Sequence, residues 1–191
     1  MNTLKSVRSA LLLCTALLLA SAALAAGAKA QTPMAARDVV KAKSYVSLDR
    51  VPRGKEFEVA IVATIHDGYH MNSHHPLDSY LIPTVMSVNP PAGIKVVDTM
   101  YPAGHDKKFP FSPTKPLNVY SGSVTLRLKL MAEANAKVGS TTIPVMLRYQ
   151  ACNNSACLPP VKIPVDVPVN IAAAGSSSHP ANKEIFDKPG M

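Results

Sequence analysis

Two cysteines, Cys152 and Cys157, are the residues whose type and spacing most directly suggest chemistry. They enclose Asn153-Asn154-Ser155-Ala156, and Asn-Asn-Ser is turn-forming. Alternating segments flank the pair, so it is expected at a hairpin tip. Facing strand residues have Cα atoms about 4.5–5.5 Å apart, and a disulfide needs about 4.4–6.8 Å, so a bond is geometrically easy. In the chain-entropy view so small a loop adds only about 2 kcal/mol. A domain of this size does not depend on such a staple. Two readings follow from the residues alone. The pair is redox-active, open to a partner thiolate at an exposed tip, or it is a static clip in a non-catalytic secreted binding module. Arg148 and Lys162 are near in sequence, but strand parity can turn them away, and no helix N-terminus lies beneath the pair. Reactivity would then come from a shaped, partly shielded pocket. C-x4-C without a second ligand pair argues against zinc.

The histidines offer different chemistry. His66, His70 and His74 share strand parity, with His75 beside them, and imidazoles on one face suit copper or zinc. A periplasmic metal carrier is therefore a further alternative. Against it, Gly68, Asn72, Ser73 and Pro76 break the run into a strand end and a polar turn. The eight Met are scattered and suit core filling. No G-x-S-x-G or P-loop is present. No metal or organic cofactor is expected.

These groups must be held by strands. Seventeen Pro in 191 residues disfavour a helical bundle. Period-2 alternation dominates instead: Phe57, Val59, Ile61, Ala63 and Ile65; Val124 to Leu130; Ile143 to Tyr149; Val161 to Ile171. Weaker strands fit 38–48, 80–89, 94–100 and 117–120. About eight short strands predict an all-β sandwich. Pro164 and Pro168 share the outward parity of the last strand, which predicts an edge. A turn or two of helix fits 132–137.

The chain ends have other jobs. Lys5 and Arg8 precede an apolar Leu/Ala run, followed by Ala23-Leu24-Ala25 and Ala28-Lys29-Ala30. Residues 1–30 thus read as a cleaved secretory signal peptide rather than an anchor, and Cys14 sits too deep in the Leu run for a lipid attachment site. Without that segment the chain carries 17 Lys and Arg against 12 Asp and Glu, a net charge of +5. No basic stripe with interleaved aromatics suggests nucleic-acid binding. The exported chain keeps two cysteines, in a compartment where disulfides persist. No other apolar run could span a membrane. Residues 31–36 read as a flexible start, 37–171 as the folded domain and 172–191 as a flexible tail.

A family resemblance runs through these motifs. Tyr149-Gln150-Ala151-Cys152, Cys157-Leu158-Pro159-Pro160 and the Val/Pro strand after them resemble the N-terminal, disulfide-bond corrector domain of the bacterial thiol:disulfide interchange protein DsbD. Asp67-Gly68-Tyr69, Asn89-Pro90-Pro91-Ala92-Gly93-Ile94 and Val119-Tyr120-Ser121-Gly122 extend the likeness across about 57–170. The resemblance implies an immunoglobulin-like sandwich in the periplasm. It implies a pair that takes electrons from a thioredoxin-like donor and passes them to periplasmic oxidoreductases. By position Cys157 matches the partner-bonding cysteine and Cys152 the resolving one. A cap loop would lie within 101–115, with Phe109 or Phe111 as the covering ring. Tyr69 and Tyr149 would line the site. The best-known members place five residues between the cysteines, and this chain places four. Their acidic cap residues have only Asp98 and Asp106 as counterparts. The chain carries no membrane or C-terminal thioredoxin segment, so a separate membrane electron carrier is expected to supply electrons.

Overall fold

The computed structural model describes residues 34–187. The expected signal peptide lies outside them. Every long alternating segment forms a strand. β1 (Val40–Val46), β3 (Lys55–Ile65), β6 (Ile94–Met100) and β9 (Ser123–Ala132) make an antiparallel sheet in the order β1-β3-β9-β6. β2 (Val51–Pro52), β5 (Val85–Val88), β10 (Gly139–Tyr149) and β12 (Val161–Ala172) make a second, ordered β2-β12-β10-β5. Together they form an immunoglobulin-like β-sandwich.

The alternation explains the packing. In β9 Val124, Leu126, Leu128 and Leu130 point inward while Thr125, Arg127 and Lys129 lie on the other face. Ile143, Val145 and Leu147 of β10 and Val165, Val167 and Val169 of β12 join the same core. Each such side chain contributes about 1.5–3 kcal/mol by leaving water. β12 pairs with β10 along its length, and on its other side meets β2 only at Ile171 and Ala172. Pro164 and Pro168 therefore interrupt no second ladder, as an edge strand allows. Along that edge the Ser44 hydroxyl donates to the Asp166 carbonyl at 2.7 Å.

A third sheet was not foreseen. β4 (His70–Asn72), β7 (His105–Phe109), β8 (Ser112–Tyr120) and β11 (Ala151–Cys152) lie in the order β11-β4-β8-β7. Two glycines permit it. Gly68 (φ 82°) turns the chain into β4 in a conformation that a side chain resists. A Cβ at Gly104 would strike the Asn118 carboxamide and the Ser73 side chain, so glycine lets β7 begin flush against the sheet.

Two expectations change. Residues 132–137 form a turn rather than a helix: Glu133 N donates to Gly93 O at 2.8 Å, and a Cβ on Gly93 would meet the Ala136 backbone. The helical turn lies instead at Lys183–Phe186. The segment expected as a flexible tail folds back on the sandwich. Asn182 Nδ2 donates to Val46 O at 2.8 Å, Ala181 N to Ser47 O at 2.8 Å, and Arg127 to Ile185 O at 3.0 Å.

Candidate functional site

The hairpin between β10 and β12 carries the cysteines. Asn153 Oδ1 accepts from Ser155 N at 2.8 Å and Ala156 N at 2.9 Å, an Asx turn that reverses the chain. Asn153 N donates to Ala156 O, and Leu158 N donates to Ala151 O at 2.8 Å, closing the base. Cys152 and Cys157 face each other across this turn and are bonded, with Cα atoms 3.9 Å apart. Their surroundings differ. Cys152 is wholly buried, whereas Cys157 is half-buried beside exposed Asn154, Ser155 and Ala156. Of the two cysteines, only Cys157 is partly open to solvent.

Gln150 anchors the hairpin, a role not read from the sequence although the residue stood in the motif. Its Oε1 accepts from Asn72 Nδ2 at 3.1 Å and Ile82 N at 3.2 Å, and its Nε2 donates to Leu158 O at 3.3 Å. Asn72 N donates to Gln150 O at 3.0 Å, and Thr84 Oγ1 donates to Asn72 O at 2.6 Å. One side chain therefore ties the strand before Cys152 to the strand after Cys157 and to β4. A half-buried amide placed between several backbone groups is the physical signal of such a clamp. It shows only once the partners are together.

β4 brings His70 directly opposite Cys152. The imidazole is buried, and its edge meets the Phe109 ring at 5.2 Å. Lys107 Nζ lies 2.6 Å from His70 Nε2 and 5.7 Å from the Phe109 centroid. Burial first, then Lys107, push the imidazole below its ordinary pKa; a hydrogen bond to the Cys152 backbone pulls the other way, and His105 adds a smaller push down. Beyond the contact with the Cys152 backbone, Nδ1 has no hydrogen-bond partner. The β7–β8 hairpin stands where the cap was expected. Phe109 is buried with Leu81, Leu117 and Val119 as a small second core. Phe111 is more exposed and stacks on it at 5.2 Å.

The other expected residues have partners of their own. Tyr149 is a core residue whose hydroxyl donates to Ala36 O at 2.8 Å. Tyr69 packs against the main core with its ring edge 6.2 Å from His66. Asp106 accepts from Asn118 Nδ2 at 2.7 Å, and Asp98 lies on β6 in another sheet. The histidines diverge. His66 is exposed, with Nδ1 2.9 Å from Asp67 O, and His74 stacks on Tyr101 at 3.6 Å with Nδ1 2.9 Å from Thr84 O. Shared parity failed as a guide because Gly68 turns the chain between His66 and His70. Among the described residues no three His, Cys, Asp or Glu side chains converge to hold a metal ion. No described helix is long and apolar enough to cross a membrane.

Known proteins resemble this arrangement. Residues 36–168 match the family model described as "Thiol:disulfide interchange protein DsbD, N-terminal". Two solved structures are similar. The DsbD N-terminal domain of Neisseria meningitidis in the reduced form is 18% identical, over 80% of this chain and 98% of that one, with a TM-score of 0.44. The N-terminal periplasmic domain of ScsB from Proteus mirabilis is 10% identical, over 68% of this chain and 46% of that one, with a TM-score of 0.50. The present chain thus spans about half of that ScsB domain. No curated protein sequence matches.

Proposed function

The chain belongs to the family of DsbD N-terminal domains, and from that premise we propose that it relays reducing equivalents in the periplasm through Cys152 and Cys157. It is a thiol-disulfide interchange module. The observation that carries the finer reading is the unequal burial of the two sulfurs. One is shut in the sheet and the other stands at a solvent-facing turn. A static clip has no use for that asymmetry, whereas exchange needs one sulfur to meet partners and one to wait behind it.

In the reduced protein Cys157 thiolate attacks a partner's disulfide. A bond forms from Cys157 Sγ to one partner sulfur, and the other partner sulfur leaves as thiolate. Cys152 thiolate then attacks Cys157 Sγ, the Cys152–Cys157 bond forms, and the second partner sulfur leaves. The partner gains two electrons, and the pair loses two. A thioredoxin-like dithiol, loaded by a separate membrane electron carrier, reverses these steps on the Cys152–Cys157 disulfide. Phe109 and Phe111 cover the pair until a partner docks. Export through a cleaved signal peptide and the periplasmic setting of the ScsB domain support the compartment.

Thiol trapping in periplasmic extracts tests the reading. Cys157→Ser abolishes transfer and leaves the fold intact, and Cys152→Ser accumulates mixed disulfides with partners. An untrapped Cys152→Ser protein, together with a disulfide potential below about −300 mV, would return the pair to a structural clip.

A further inference from the structure

Cys152 is sealed from water, so a sulfur released there must find its stabilising partner inside the protein. The residue directly across from it is His70. Opposite residues of an antiparallel pair project to the same face, with Cβ atoms about 4.5–5.5 Å apart. His70 is only 7% exposed. Its Nε2 is committed to Lys107 over 2.6 Å. An ammonium has three donors and no acceptor, so Nε2 accepts and the ring proton sits on Nδ1. Apart from a contact with the Cys152 backbone, that Nδ1 has no hydrogen-bond partner. A buried donor without a full partner is costly, so the N–H directed at Cys152 is available beside the disulfide.

We propose that the His70 Nδ1–H receives the Cys152 sulfur when the disulfide opens, and that Lys107 reinforces it through Nε2. The proposal rests on the exchange reading above. A donor dithiol's thiolate attacks Cys157 Sγ. The donor–Cys157 bond forms, the Cys152–Cys157 bond breaks, and the electron pair stays on Cys152 as thiolate. That thiolate accepts the Nδ1–H, with the Lys107 charge acting across the ring. No proton has to move. The donor's second thiolate then attacks the donor sulfur of the mixed disulfide and releases Cys157 as thiolate. In the forward direction the same cation-backed donor keeps more Cys152 ionised, ready to resolve a mixed disulfide with a partner.

The groups around the ring suit this role. Lys107 and His105 on β7 disfavour a second positive charge on the imidazole, as does burial. Phe109 packs its ring against the imidazole edge, and Asp106 is engaged by Asn118 on β8. The imidazole therefore acts as a neutral donor, and the cation beyond it is Lys107.

The test follows Cys152 alone, in the full chain carrying Cys157→Ser. Iodoacetamide alkylation is measured against pH and read at the Cys152 peptide by mass spectrometry. Adding His70→Phe or Lys107→Met should move the reactive limb to higher pH. Where the limb moves by about one pH unit, the thiolate present at a fixed pH falls about tenfold. His70→Asn, which returns an N–H near the Nδ1 position, should restore part of the reactivity lost in His70→Phe. Unchanged limbs in both His70→Phe and Lys107→Met would overturn the proposal. Should His70→Phe lose its β-sheet circular dichroism, Lys107→Met at the half-buried Lys107 decides alone. Failure of the exchange reading looks different: the wild-type disulfide then resists dithiothreitol, whatever the alkylation series shows.

Discussion

The β1-β3-β9-β6 sheet turns Val, Leu and Ile inward at every second position, whereas the β11-β4-β8-β7 sheet buries His70 and Asn72. Buried polar or charged residues among those described are His70, Asn72, Ser73 and Thr84, all within fifteen positions around β4. Buried polar groups are costly unless bonded, and each one here belongs to the scaffolding of the cysteine hairpin or faces it. Stability and chemistry are thus assigned to different regions. The sandwich core is apolar, with Met71, Tyr120 and Ala151 of the small sheet among its members. The small sheet adds these polar groups, held by specific hydrogen bonds, to apolar residues of its own, and carries the buried Cys152.

The division predicts that a deep cut in the sandwich leaves the chemistry alone. Leu128→Ala removes a fully buried side chain opposite Val59 and should cost about 2–5 kcal/mol in urea unfolding. The rate at which dithiothreitol opens the disulfide, expressed per folded molecule, should match wild type. A changed rate would mean that the two regions move as one.

The converse cut is Gln150→Leu. It leaves Ile82 N and Leu158 O without their side-chain partner, a loss of about 1–3 kcal/mol. Here the disulfide should open faster, because the clamp joining both hairpin arms to β4 is gone. A stability loss at unchanged reactivity would show that the covalent bond alone fixes the tip.

The same division decides how much was legible in the sequence. The eight expected strands correspond to β1, β3, β5, β6, β8, β9, β10 and β12, because a half-buried strand writes its period into the residues. Of the four unforeseen strands, β4, β7 and β11 belong to the site sheet, and the two-residue β2 lies in the β2-β12-β10-β5 sheet. They run two to five residues, and His105-Asp106-Lys107-Lys108 shows no alternation. Their pairing is imposed by tertiary contact. Cys152 and Cys157 were visible because five positions and a turn suffice to join them. Phe109 was visible through its family resemblance. His70 and Lys107 meet across thirty-seven positions, and Gln150 meets Ile82 across sixty-eight. Strand parity grouped His70 with His66 and His74, and the structure separates all three.

A pH slope sharpens the contrast further. Burial and Lys107 hold the His70 imidazole below its ordinary value. The unfolded chain takes up a proton as pH falls through about 6.5, and the folded chain does not. Stability therefore declines with falling pH from that point until the folded imidazole is itself protonated. The acid limb of wild type minus that of His70→Phe, from urea melts between pH 4 and 8, isolates the effect. Parallel limbs would refute the assignment of a neutral, buried imidazole to the polar sheet.

The smallest expected effect concerns Tyr149, which adjoins Gln150 in sequence yet belongs to the sandwich. Its ring is buried in the core and its hydroxyl donates to Ala36 O, so Tyr149→Phe should cost about 0.5–1.5 kcal/mol. Burial pushes the phenol up from its ordinary value of 10.0 to about 12. Above pH 10 the unfolded tyrosine loses its proton first, so wild-type stability should fall between pH 10 and about 12 and then stop responding to this group. Tyr149→Phe should lack that component. Because this ring faces the apolar region, dithiothreitol should open the disulfide of the variant at the wild-type rate. A slowed or hastened rate would place Tyr149 in the site after all, and the boundary between the two regions would have to be drawn one residue earlier.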